Sequence, residues 1–229
     1  MTLRPLRLLS SMAAREVLAE LIQGFTAESG QPVTAEAAGG VEVAKRIQGG
    51  DTADVVVLSD TAIDKLIAGA QLRPGRVDLV RSGVAIAVRT GAHQPDISTE
   101  TAVKAAVSAA SSISYSTGPS GVYLEKLFER WGILETLRSR IVVPPPGVPV
   151  ASLVADGRAA LGFQQLSELL NVAQVEVLGP LPADIQLMTT FSGGISVRCE
   201  QPQVAAQLLH YMRLPSAAAV KQRYGMEPA

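Results

Sequence analysis

Residues 54–60 read Asp-Val-Val-Val-Leu-Ser-Asp, and this short run decides the fold class. A strand with one wet face alternates apolar with polar residues, whereas Val55 to Leu58 are apolar throughout. That pattern predicts a strand buried on both faces, as in a parallel sheet covered by helices. Working outward, a helix is predicted over 61–67, stopped at Gly69. On the amino-terminal side, Val33 begins a short strand, Ala38-Gly39-Gly40 makes a turn, and 41–47 reads as a helix ending before Gly49-Gly50. Before that, an apolar strand at 6–9 and the polar turn Ser10-Ser11 lead into a helix over 15–28. Its apolar stripe is Val17, Leu18, Leu21, Ile22 and Phe25, with Gly30 as the stop. Three strand–helix pairs in succession exclude an all-helical or an all-β architecture.

The same rhythm continues toward the carboxyl end. VAIAV at 84–88 predicts a strand, and 91–95 (GAHQP) a turn-rich crossing. A helix over 101–109, a strand over 112–115 and a helix over 121–131 follow, the last with Val122, Leu124, Leu127 and Phe128 on its apolar face. A brief strand at 141–143 precedes the rigid Pro144-Pro145-Pro146. Then come a short helix from 150 to about Gly157, a strand at 159–163 with Gln164 and Gln165 after it, a helix at 166–170 and an apolar segment at 175–178. An extended stretch at 184–198 leads to two terminal helices, 203–212 and 216–224. The expectation is an α/β protein with lobe 1 at 1–84 plus 186–229 and lobe 2 at 85–185. Periodicity alone fits a single open sheet as well.

Composition narrows the function classes. Lys and Arg number 20 against 21 Asp and Glu, so no basic excess offers itself to a phosphate backbone and nucleic acid is not an expected partner. Cys199 is the only cysteine, which excludes an intrachain disulfide framework and any multi-cysteine metal site. It is expected to be a buried thiol near the last strand. No run approaches the roughly 20 apolar residues that span a bilayer, so membrane insertion is not expected. The apolar run in MTLRPLRLLSSMAA is too short for a secretory core and Arg7 interrupts it. Two locations follow: cytoplasmic if the sequence is complete as given, periplasmic if a signal was removed.

Five stretches carry a resemblance: LLSSMAAREVLAELIQGFTAESG (8–30), EAAGGVEVAKRIQGGDTADVVVLSD (36–60), SGVAIAVRTGAHQPDIST (82–99), SISYSTGPSGVYLEKLFERWGI (112–133) and ALGFQQLSELL (160–170). In order and content they resemble the molybdate-type branch of the periplasmic (extracellular) solute-binding proteins, which have the type II periplasmic-binding fold. The resemblance implies two α/β lobes joined by paired hinge strands, with a small anion held in the cleft between them. It also implies an ABC transporter membrane component as partner if the protein is exported. Ligand contacts in that branch come from small polar residues and amides in loops that precede helices. The matching positions are Ser10 and Ser11, Gly39 and Gly40, Ser116 to Gly121, and the turn from Gly162 to Gln165.

Elementary physics supports such loops. Helix amino termini leave amide donors without intrahelical acceptors and carry partial positive potential, so serine and glycine alone can build an anion site. Ser10 and Ser11 serve equally as a turn and cap without a ligand. The pair Gly39-Gly40 stands where molybdate binders place serines, which removes a hydroxyl and leaves room for a larger ligand. In Ser116-Thr117-Gly118-Pro119-Ser120-Gly121, Ser120 is expected to cap the following helix while Ser116 or Thr117 donates to the ligand. Tyr115 and Tyr123 read as packing residues whose hydroxyls are candidates to reach the site. Arg15, in a first helical turn where a cation is disfavoured, is a candidate partner for a ligand carboxylate. Of Gln164 and Gln165, one is expected to hydrogen-bond the ligand.

His93 and His210 lack metal-ligand spacing and read as surface histidines, so neither a metal nor a cofactor is called for. GxGxxG, Walker A, HExxH, CxxC and GxSxG patterns are all missing. Two functions stay open. One is reversible binding of an oxyanion or carboxylate by a monomeric solute-binding component or sensor. The other is an isomerase of a small unsaturated polycarboxylate such as aconitate, which the resemblance implies for some relatives of the branch.

Overall fold

The computed structural model describes residues 3–145 and 147–229; Pro146 of the proline triple and the first two residues of the amino-terminal stretch lie outside them. In chain order the elements are β1 (Leu6–Ser11), α1 (Arg15–Ser29), β2 (Val33–Ala38), α2 (Gly40–Gln48), β3 (Val55–Ser59), α3 (Asp60–Ala68) and β4 (Val77–Arg89). Then follow α4 (Glu100–Ala109), β5 (Ile113–Tyr115), α5 (Pro119–Arg130), α6 (Leu134–Leu137), α7 (Val150–Ala155), β6 (Leu161–Gln165), α8 (Leu166–Leu169) and β7 (Val175–Pro180). The chain ends with β8 (Met188–Ile195), α9 (Pro202–Tyr211), α10 (Ala218–Arg223) and β9 (Glu227–Pro228). The fold is α/β, as expected. Two compact units divide it: one runs to Ser82 and resumes over Thr189–Ala229, the other is Gly83–Met188. The chain leaves the first unit inside β4 and returns to it at the start of β8.

In the first unit the strand order is β2-β1-β3-β8, with β1 parallel to both β2 and β3 and β8 antiparallel to β3. The uninterrupted valines of β3 are explained by helices on both sides. Val55 and Val57 join Leu6 and Leu8 under α1 and α9, against Val17, Leu21, Leu208 and Leu209. Val56 and Leu58 join Leu9 on the opposite face, under α2 and α3, against Val43, Ile47, Ile63 and Leu66. Val55 to Leu58 are all fully buried, and each such side chain contributes about 1.5–3 kcal/mol. The chain goes from β1 to β2 on one side, then crosses back to β3 on the other. Strand order therefore reverses between β1 and β3, and in open α/β sheets ligands lodge beyond the carboxyl ends of the strands at such a point.

At the other end of these strands, charge does the fastening. Asp51 receives Arg7 at 2.6 Å and Arg46 at 2.9 Å, while Arg46 also pairs with Glu36. Partial burial pushes the Asp51 carboxyl up, but the hydrogen bonds from Arg7 and Arg46 outweigh it and leave it below the usual range. The Arg46 hydrogen bond likewise lowers Glu36. A carboxylate depressed by folding contributes stability above its unfolded pKa, near 4, and that contribution is lost as pH falls through the folded value. We therefore expect the urea midpoint to fall steeply below about pH 4, and Asp51→Asn to flatten that dependence while lowering the midpoint at neutral pH.

In the second unit β6 lies between β5, parallel to it, and β4, antiparallel, with β7 on the far side of β4. Val84, Ile86 and Val88 pack against Val103 and Val107 of α4 and Leu124, Leu127 and Phe128 of α5. On the opposite face Ala85 and Ala87 admit Ala151 of α7 and Leu169 of α8 at close range.

Several boundaries differ from the sequence reading. The strand expected at 159–163 occupies 161–165, so Gln164 and Gln165 belong to it rather than follow it. The strand expected at 84–88 begins seven residues earlier, because the Asp78 and Arg81 side chains in its first half hide the apolar signal. The brief strand at 141–143 reduces to one bridge, Ile141 with Ile113. The helix expected from Gly121 starts at Pro119 with Gly118 as its cap, since proline suits the first helical position. Ser120 therefore sits inside the first turn and does not cap it.

Candidate functional site

β1 continues through Ser11, so Ser10 and Ser11 project to opposite faces of the sheet. Leu9 packs under α2 and α3, and Ser11, two residues on, shares that face. Its hydroxyl oxygen is buried and has no hydrogen-bond partner, and the residue is 7% exposed. It caps nothing: the 3-10 turn Met12–Ala14 that follows receives no side-chain bond from it. A buried hydroxyl without a partner costs about 1–3 kcal/mol, which marks a group awaiting one.

The first turn of α2 lies directly against this serine. A methyl group built on Gly40 would stand 3.8 Å from the Ser11 Cβ, and one on Gly39 would meet nothing within 4 Å. Gly39 caps α2 with backbone alone; its carbonyl takes the Val43 amide, which leaves the amides of Gly40, Val41 and Glu42 as the orphan donors of the turn. The sequence reading did not single out Ser59, at the carboxyl end of β3. It caps α3 without accepting from a helix amide; its hydroxyl hydrogen-bonds that of Thr61 at 3.4 Å. Its signal was legible: a serine between an apolar strand and a helix, the pattern that had drawn attention to Ser11. The Thr61 amide donates to the Asp60 carboxylate at the start of α3, so α3 is less open to an anion than α2.

In the second unit, Ser116 to Gly118 connect β5 to α5, and Pro119 to Gly121 open its first turn. The hydroxyls of Ser116 and Ser120 share a hydrogen bond at 2.9 Å, and Thr117 is exposed. Gly121 is dictated by sterics, because a methyl group there would fall 1.7 Å from the Ser116 carbonyl oxygen. The loop thus folds down onto the first turn of α5. Pro119 has no N–H, and the Gly121 and Val122 amides bond to the Gly118 carbonyl, so the Ser120 amide is the donor α5 leaves open in that turn.

Three expected contacts have partners inside the protein. The Tyr115 hydroxyl donates to Glu125 at 3.0 Å; burial, then this bond, raises its pKa above the ordinary phenol range. Tyr123 donates to the Ile185 carbonyl at 2.8 Å. Gln164 accepts from the Ala151 amide at the head of α7 and donates to Glu168 at 2.8 Å, which commits its amide group to positioning α7 and α8. Arg15 lies exposed in the first turn of α1, paired with Glu16 at 2.6 Å. Gln165, at 5% exposure, ends β6 and precedes α8. His93 and His210 are exposed, and no cluster of His, Cys, Asp and Glu among the described residues is arranged for a metal. No described helix is long and apolar enough to cross a membrane.

Residues 6–227 match the family described as bacterial extracellular solute-binding protein. An aconitate isomerase from Pseudomonas sp is 39% identical over 190 residues, spanning 81% of this chain and 71% of that protein. Among solved structures, the periplasmic molybdate-binding protein of Azotobacter vinelandii superposes with a TM-score of 0.81 at 21% identity, over 98% of this chain and 99% of that one. The sulfate-binding protein SubI from Mycobacterium tuberculosis gives 0.79 at 12% identity, over 98% and 87%.

Proposed function

The chain belongs to the bacterial extracellular solute-binding protein family, and on that premise we propose that it reversibly binds a small anion through neutral donors at its strand ends. The reading is carried by the Ser11 hydroxyl, buried and without a protein partner beside the orphan amides of α2. Ser59, at the carboxyl end of β3 in the same unit, supplies a further donor of the same kind. An ABC transporter component is the partner that fits a family member of this type acting outside the cytoplasm, where the protein works as a monomer. Binding stabilises the folded state in proportion to ligand concentration over its Kd, by about 2.7 kcal/mol at a hundredfold excess. Melting curves with sulfate, molybdate, tungstate, citrate and the two aconitates are expected to rise for at least one of them at constant ionic strength. No rise with any would refute the reading.

A second reading rests on the 39% identity to an aconitate isomerase. Interconversion of the aconitates by an allylic shift requires one proton to leave a carbon and another to arrive at the far end of the three-carbon unit, with no net redox change. The same strand-end donors would hold the carboxylates while a nearby group carries the proton. Incubation with trans-aconitate in deuterium oxide separates the two. Under the isomerase reading NMR shows deuterated cis isomer growing in; under binding alone the spectrum matches the blank.

A further inference from the structure

The first turn of α2 carries a charge that works against the proposed ligand. Glu42 is the third residue after the Gly39 cap, the position from which a glutamate reaches back over the start of its helix in a capping box. The reciprocal half of that box is missing, because Gly39 has no side chain to accept the Glu42 amide. That amide is one of the donors left open beside the Ser11 hydroxyl, itself buried and without a partner. The Glu42 side chain is exposed, and among the described residues no hydrogen bond or ion pair holds its carboxylate. Arg46, one turn on and suitably spaced to pair with it, is spent on Glu36 and Asp51. On α3 the contrast is plain, since the Asp60 carboxylate already accepts from the Thr61 amide. Side chains on a helix lean toward its amino terminus, so the unspent Glu42 charge is inclined toward the end where an anion would sit.

We infer that Glu42 is the specificity-determining residue of this site: its carboxylate opposes the charge held at the open amides and penalises each negative charge the ligand brings. Two like charges about 8 Å apart near a protein surface repel strongly enough to change affinity roughly twofold to thirtyfold, and exposure places Glu42 toward the lower end. Repulsion scales with the ligand's charge, so the factor for a doubly charged anion is the square of that for a singly charged one. The inference rests on the anion-binding reading and names the residue that ranks anions by charge.

The test is calorimetric titration of the full chain, wild type and Glu42→Gln, with two pairs of anions alike in shape and different in charge, perchlorate against sulfate and perrhenate against tungstate, and with citrate and the two aconitates. Glutamine matches glutamate in helix propensity and the position is exposed, so ligand-free melting curves are expected to fall only slightly. Every anion that binds is expected to bind the variant more tightly, by about threefold when singly charged and about tenfold when doubly charged, with the gain shrinking as salt is raised. Glu42→Ala, which has no amide of its own to offer a ligand, is expected to gain likewise, and Glu28→Gln near the carboxyl end of α1 to gain nothing. Unchanged or weaker binding in both Glu42 variants overturns the inference, as does a gain in Glu42→Gln alone or an equal gain for singly and doubly charged anions; each of these leaves the anion-binding reading standing. Failure of every anion to bind wild type and variants alike would remove both.

Discussion

Ser11→Ala is expected to weaken anion binding roughly tenfold to a hundredfold, the 1.5–3 kcal/mol of a hydrogen bond to a charged group. The same substitution is expected to leave the ligand-free protein as stable as wild type or about 1 kcal/mol more stable. The two signs together are diagnostic. A serine that fastens the fold loses stability when truncated, because its partner is left unpaired; the Ser11 hydroxyl has no partner to strand. Its removal deletes an unsatisfied buried group in the free state and a donor in the bound state. Paired urea melts and titrations with the tightest anion would read both effects, and a loss of ligand-free stability would assign Ser11 to the fold.

Gly121→Ala is expected to cost about 3 kcal/mol, the upper end for forced overpacking, and to lower the melting temperature by roughly 6–12 °C. The new methyl would meet the Ser116 carbonyl carbon at 2.8 Å as well as its oxygen at 1.7 Å, and a backbone group cannot rotate aside as a side chain can. The loop must lift off α5, which breaks the Ser116–Ser120 bond and moves the donors. Gly118→Ala is the control: its methyl would come no closer than 3.7 Å to the Ser116 hydroxyl and its φ is −86°. We expect that variant to melt within about 0.5 kcal/mol of wild type.

These two positions also show what could be read in advance. Val55 to Leu58 announced a strand buried on both faces, and the strand does carry helices on both. The apolar stripe of α1 and its glycine stop were equally plain, with Gly30 adopting φ 72°. Ser11 was a candidate by position, but its lack of a partner is a property of packing that no spacing records. Gln164 misled for a related reason. A glutamine after an apolar run reads as a loop residue, yet it lies inside β6 at 3% exposure with its amide spent on Ala151 and Glu168. Tyr115 looked free because Glu125, ten residues on, returns to it only through the turn of α5. Serine favours the cap position, but Pro119 starts the helix two residues before Gly121 and leaves Ser120 inside its first turn. Local chemistry was legible; which donor had already been claimed by a neighbour depended on tertiary geometry.

The most direct test is to follow backbone amide resonances while titrating the tightest-binding anion into the protein. The account predicts the largest shifts at Ser11, Gly40 to Glu42 and Ser59, saturating together at one affinity. Shifts confined to other surfaces, with these amides unmoved at saturation, would contradict it.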